Sequence, residues 1–274
     1  MIYFLSDSHL GSRVITDPQA HQQKLVNLLQ TMGKDASEIF LLGDVFDFWY
    51  EYFWERMPER EVLAEHTLPK GKRPFALLLM CLRDLVQKGV KVHYFIGNHD
   101  IWTFGGLTRS TGVEVHRKPI VINRFGKEIM LAHGDGLVPK DYVEQLPKAV
   151  QRKIRSFMLL RAFFHCSVPQ YIFRAMPPRW GDGIGYAWAK NSRQKELDHP
   201  CPYKGEKEEE LILFAKEQEK QQHIDYYIFG HRHIELDIQI TTQSRVLILG
   251  DMFKQWTYAA MNEKGEMQLL NIEE

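Results

Sequence analysis

Five short apolar runs in this chain end in the same way. Residues 2–5 lead directly into Ser6-Asp7-Ser8-His9, residues 39–42 into Gly43-Asp44, and residues 92–96 into Gly97-Asn98-His99-Asp100. Residues 129–132 lead into His133-Gly134-Asp135, and residues 226–229 into Gly230-His231-Arg232-His233. Short apolar runs closed by polar clusters read as buried strands of a largely parallel sheet. In open α/β sheets ligands gather beyond the carboxyl ends of such strands, so five ends of this kind can build one site. Between them, residues 19–32 carry Leu25, Leu28, Leu29 and Met32 at helical spacing. Residues 75–87 read likewise until Gly89 stops them, and both segments predict helices. Segments 236–240, 245–249, 256–261 and 267–272 predict a strand meander that completes a second sheet.

The stretch 138–201 breaks the alternation. It carries a net charge of +6, which leaves −6 on the rest of a chain whose 35 Lys plus Arg balance 35 Asp plus Glu. Arg152, Lys153, Arg155 and Arg161 are interleaved there with Phe157, Leu160, Phe163 and Phe164. This composition predicts a helical insertion, or cap, within a single domain spanning 1–274.

At 274 residues, with 44% hydrophobic and 26% charged positions, the chain has the make-up of an ordinary globular protein and not of a disordered one. Zero net charge removes any global field that would draw it onto nucleic acid. Three cysteines, Cys81, Cys166 and Cys201, sit far apart without a C-x-x-C pair. That pattern disfavours a disulfide framework and fits a reducing compartment. No apolar run reaches the roughly 18 to 20 residues of a spanning helix. Asp7 and His9 interrupt the first apolar stretch, which argues against a signal peptide. The expectation is a soluble or peripheral cytoplasmic protein.

Asp7 and His9 lie two apart, as do His231 and His233, so in extended backbone each pair can point the same way and grip one ion. Asp44 offers a carboxylate able to bridge two cations, Asn98 an amide oxygen and His133 an imidazole. Mixed nitrogen and oxygen donors without thiolate suit Mn²⁺, Fe, Zn²⁺ or Mg²⁺. Taken singly, each cluster also fits a turn or a solvated loop. All five in this order, each behind an apolar run, point to one centre.

The ordered set D-x-H, G-D, G-N-H-D, H-G-D and G-H-x-H resembles the calcineurin-like metallophosphoesterases, over residues 1–140 and again from 224 onward. The resemblance implies an α/β fold, a β-sandwich flanked by helices, with Asp7, His9, Asp44 and His233 on one metal. Asp44, Asn98, His133 and His231 would hold the second. Two such cations, most commonly Mn²⁺, activate water and clamp an in-line displacement at phosphorus. His99 would serve the leaving oxygen, with Asp100 holding its ring in the working tautomer.

The motif G-D-V-F-D-F-W at 43–49 and the stretch A-K-N-S-R at 189–193 resemble the UDP-2,3-diacylglucosamine pyrophosphohydrolases of lipid A synthesis. That resemblance implies a lipid-linked nucleotide sugar as substrate and peripheral contact with the cytoplasmic face of the inner membrane. It makes Trp49, Asn191, Ser192, Arg193 and Lys195 candidate substrate contacts. Two positions depart from the best-known members, which carry Arg in place of His99 and Thr in place of Arg232. The loop 51–73 finds no counterpart in that pattern. Another phosphodiester, nucleotide or phosphoprotein substrate is the alternative within the same chemistry. A scaffold that lost its metals would lack ligands, and here every ligand position is filled. A nuclease is disfavoured by the balanced charge.

Overall fold

In the computed structural model, the strands predicted from apolar runs form within two residues of their expected bounds. The described residues are 1–12, 14–51, 75–177, 202–272 and positions 180, 183, 185 and 187. Among them, eleven strands form two sheets. The first is built on β1 (Ile2–Leu5), β2 (Glu38–Leu41), β3 (Lys91–Phe95) and β4 (Glu114–His116), all parallel, with β10 (Thr257–Met261) and β11 (Met267–Asn271) beyond β1 in the order β11-β10-β1-β2-β3-β4. The second, β5-β6-β7-β9-β8, joins β5 (Ile120–Arg124), β6 (Lys127–Ala132), β7 (Tyr226–Phe229), β8 (Glu235–Gln239) and β9 (Arg245–Leu249). Its inner strands β6, β7 and β9 run parallel, so both sheets gather strand ends at one rim.

The C-terminal meander does not stay on one sheet. Strands β8 and β9 extend the second, whereas β10 (Thr257–Met261) pairs antiparallel with β1 and β11 (Met267–Asn271) with β10. The expectation of a single second-sheet meander is corrected accordingly. Thr257, Ala259 and Met261 are buried, and Ala259 and Met261 pack between the sheets, so this strand covers the open flank of β1.

Apolar side chains divide into layers. Phe4, Phe40, Phe95, Ile129, Ile228 and Leu247 fill the space between the sheets. Outside the first sheet, α1 (Pro18–Met32) and α2 (Ala76–Gln87) bury Leu25, Leu29, Leu78 and Leu82. Asp17 caps α1 by accepting from the backbone of Gln19 and Ala20, which satisfies two of its orphan donors. Outside the second sheet, α7 (Glu210–Glu219) buries Leu211, Ile212 and Ala215. The short helix α3 (Gly106–Thr111) follows the β3 loop; the buried Glu51 carboxylate accepts from the backbone N–H of Phe104, Gly106 and Leu107 at its start.

The described part of the 138–201 insertion is helical: α4 (Lys140–Gln145), α5 (Lys148–His165) and α6 (Ser167–Ala175). No residue of α5 is buried. Arg161 on α5 pairs with the buried Asp135 carboxylate and docks the helix beside the strand-end rim. Among the described residues no helix is long and apolar enough to cross a membrane.

Candidate metal centre

Each strand end turns sharply as it reaches the rim. Asp7, His9, Asp44, His231 and His233 all adopt positive φ, between 43° and 69°, a region that costs a residue with a side chain of order 1 kcal/mol or more. The loops hold this strain by bonding to one another: Asp7 N–H donates to Gly43 O at 3.1 Å and His9 N–H to Asp44 O at 2.9 Å. Gly43 (φ +91°) and Gly97 are required by close approach. A Cβ on Gly43 would lie 2.6 Å from His133 Nδ1, and one on Gly97 would overlap the Asp44 carboxylate.

The side chains so aimed converge. His9 Nε2 lies 3.2 Å from His233 Nε2, and Asp7 Oδ1 lies 3.2 Å from His233 Nε2 and 3.6 Å from His9 Nε2. Two donors on one ion, each at about 2.0–2.2 Å, stand roughly 3–3.5 Å apart. A second group, Asp44, His133 and His231, brings its donor atoms within 4.8 Å of one another. Asn98 Oδ1 lies 3.3 Å from His133 Nε2. Asp44 joins the groups, its Oδ2 standing 3.4 Å from His133 Nε2 and 3.8 Å from His9 Nε2.

Asp7 and Asp44 are almost completely buried, and Asp7 Oδ1 accepts no hydrogen bond. A buried carboxylate oxygen without a donor is costly unless a cation meets it, so this donor set fits divalent metal. Burial alone would push the Asp7 carboxyl up, but His233 and His9 outweigh it and hold it well below the usual range. Asp44 behaves likewise under His133 and His99. Burial would push His133 down, yet the Asp44 carboxylate keeps it well above the ordinary imidazole value. Burial, reinforced by His133, lowers His231 to about 4.

His99 sits beside this centre, its ring edge-on to His9 with centroids 5.0 Å apart. Its backbone N–H donates to Asp44 Oδ1 at 2.8 Å, and its Nδ1 lies 2.8 Å from the Asp47 carbonyl. A carbonyl only accepts, so Nδ1 carries the proton in the neutral ring. Asp100 therefore does not hold the tautomer, contrary to expectation. Its oxygens accept from Val45 N–H (3.0 Å), Gly97 N–H (2.6 Å) and Tyr94 OH (2.5 Å), which braces the loops beneath the ligands. Burial, with Asp44 nearby, raises the Asp100 carboxyl to about 6.

Trp49 also departs from its expected role. It is fully buried, stacks on Phe46 at 4.5 Å and donates to Glu51, so it supports the site from within the core. Phe48 and Tyr50 face the cleft instead. Asn191, Ser192, Arg193 and Lys195 lie outside the described residues. Sequence reading missed Asp47, whose Oδ1 stands 3.5 Å from His9 Nδ1. The available signal was its three-residue spacing from Asp44.

A cleft of about 220 Å³ opens from Asn98 and His99. Its far wall is apolar, formed by Phe157, Leu160 and Phe164 of α5, Phe173 of α6 and Trp102.

The sequence profile of the calcineurin-like phosphoesterases matches residues 1–235. A curated relative, the UDP-2,3-diacylglucosamine hydrolase of Porphyromonas gingivalis, is 34% identical over 269 residues, covering 94% of this chain and 92% of its own. The protein of the same name from Haemophilus influenzae is 24% identical over 273 residues, covering 96% of both chains. Among solved structures, Yfce, a phosphoesterase from E. coli, aligns with a TM-score of 0.41 at 14% identity over 99% of both chains. Because the matched span takes in every strand end that contributes a side chain to the centre, the chain belongs to the calcineurin-like phosphoesterase family.

Proposed function

We propose that this chain is a dinuclear-metal hydrolase that cleaves the pyrophosphate of UDP-2,3-diacylglucosamine to UMP and 2,3-diacylglucosamine 1-phosphate. The observation that carries the reading is the continuity of the cleft, from the ligand cluster at Asn98 and His99 to the apolar wall of α5 and α6. A phosphoester joined to acyl chains needs both surfaces in one cavity. The relatives described above bear the name of that activity over most of their length.

In this reading Asp7, His9, Asp44 and His233 hold one ion and Asp44, Asn98, His133 and His231 the other, with Mn²⁺ the favoured metal. When bound, such a pair supplies Lewis-acid activation of water and charge neutralisation at the phosphoryl oxygens. The chain's own contribution is positioning. Buried strand ends fix the seven donors before substrate arrives, which removes reorganisation from the reaction. His99, anchored at Nδ1 by the Asp47 carbonyl, turns its other nitrogen to the leaving phosphate oxygen and, in the doubly protonated ring, donates the proton from there. The exposed apolar residues of α5 and α6 support, within this reading, peripheral contact with the cytoplasmic face of the inner membrane, where the acyl chains would enter.

The test is UMP release from UDP-2,3-diacylglucosamine by purified protein with Mn²⁺, beside bis-p-nitrophenyl phosphate and a chelated control. Rapid, chelator-sensitive UMP release is expected. Cleavage of the generic diester alone would keep the two-metal chemistry and reject the substrate.

A further inference from the structure

A second convergence of metal-donor side chains lies away from the strand-end centre, at the free edge of the first sheet. β3 and β4 pair in parallel with His93 opposite Glu114 and Phe95 opposite His116. Side chains two apart share a face, so His93, Glu114 and His116 all project toward the space between the sheets. His93 stacks on Phe40 (centroids 4.4 Å, 8°) and His116 on Phe95 (4.7 Å, 29°), which fixes both rings.

One donor atom from each of the three residues lies within 4.8 Å of the other two. His93 Nδ1 lies 3.0 Å from His116 Nε2 and 3.4 Å from a Glu114 oxygen, and His116 Nε2 lies 3.7 Å from the other Glu114 oxygen. These are close to the roughly 3–3.5 Å separations of atoms sharing one ion. On its other side, the buried His93 Nε2 stands 3.3 Å from Glu38 Oε2. Glu38 is itself gripped by Arg124 through two hydrogen bonds of 2.6 and 2.8 Å. Carboxylate behind imidazole is the arrangement that orients a metal-bound histidine and raises its basicity. With Glu38, Glu114 and Arg124 counted together, the cluster carries one net negative charge.

We propose that His93, Glu114 and His116 form a third metal site, taking a divalent transition-metal ion of the zinc class. Two imidazoles and one carboxylate suit Zn²⁺ and exclude the all-oxygen preference of Ca²⁺ and Mg²⁺. Burial lowers both histidines, which keeps their lone pairs available near neutral pH. The Glu114 side chain is 66% exposed, so the cluster is open to water on that side. An ion there ties β4 to β3, and the His116 carbonyl already accepts from Ile96 N–H just before Gly97 and Asn98. The site braces the edge strand that leads into the catalytic rim.

The test is a zinc count. Chelator-stripped full-length protein is equilibrated with Zn²⁺ and analysed for metal per chain, for wild type, Glu114→Gln and His116→Gln. Each variant is expected to hold one zinc fewer than wild type, whatever the number bound elsewhere, while Mn²⁺-supported diester hydrolysis is unchanged. Glu114 is exposed enough for its replacement to leave the fold intact, which circular dichroism checks. Zinc added to the Mn²⁺-free, chelator-stripped wild type is further expected to shift the His93 and His116 ring resonances in ¹H–¹⁵N spectra. Equal zinc counts in all three proteins, or unshifted resonances, would overturn the site.

Discussion

His99 and His133 make opposite uses of burial. His99 is held by a backbone carbonyl and lies outside the two ligand sets assigned above, although its ring also comes within 4.8 Å of donor atoms of His9 and Asp44. Its removal by His99→Ala should therefore lower kcat roughly 10²- to 10⁴-fold while bound metal, measured by elemental analysis, stays at the wild-type level; loss of metal in parallel would recast it as a structural residue. His133 is raised well above the ordinary imidazole range because the attraction of Asp44 exceeds the burial penalty. The metal-free protein therefore favours the protonated ring, and an ion can take the ring only as that proton leaves. Metal binding should thus strengthen as pH rises and release protons. Calorimetric titration in buffers of differing ionisation enthalpy measures this directly, and a buffer-independent heat would contradict it.

At the scale of elements, the site was more legible than its supports. Parallel strands buried on both faces read as apolar runs, and the polar cluster at each run's end could be read as the site because the chain turns only at the rim. Four kinds of information were not legible. Strand β5 alternates between half-buried and exposed positions at a sheet edge, and β4 is three residues long, so neither makes a distinctive run. The division of the meander between sheets depends on the open flank of β1, which is a tertiary fact. The roles of Trp49 and Asp100 depend on which way a side chain leaves a tight loop, and that is fixed by partners up to 55 residues away. The docking of α5 by Arg161 was equally invisible, although it shapes the cleft. Burial alone would raise the Asp135 carboxyl, but His133 and Arg161 hold it down. Arg161→Ala removes the partner that anchors the apolar wall. It should lower kcat/KM for the diacylated substrate by about tenfold and leave bis-p-nitrophenyl phosphate hydrolysis within about twofold. Equal losses on both substrates would place the effect in the metal centre.

Over the whole molecule, charge and apolar surface are distributed unevenly. The neutral total conceals a +6 insertion against a −6 remainder. The same insertion exposes Leu159 (72%), Phe163 (52%), Tyr171 (65%) and Ile172 (61%). Basic residues beside exposed apolar ones match an interfacial surface that meets anionic lipid. The protein should sediment with phosphatidylglycerol vesicles and not with phosphatidylcholine vesicles at low salt, and Leu159→Ser with Ile172→Ser should reduce that fraction severalfold. Salt should weaken the association as well, because the Debye length shortens to about 8 Å near 0.15 M.

The pairing of β1 with β10 also governs how this molecule can be made. Ile2 sits opposite Met261, so the two strands are 259 residues apart in the chain. At roughly 5–20 residues per second of synthesis, β1 waits on the order of 10–50 s for the neighbour that covers its flank. His231 and His233 emerge almost as late. A nascent chain therefore presents an apolar, hydrogen-bonding strand edge and an incomplete ligand set for most of its time on the ribosome. Folding must close after synthesis nears its end, and metal can be captured only then.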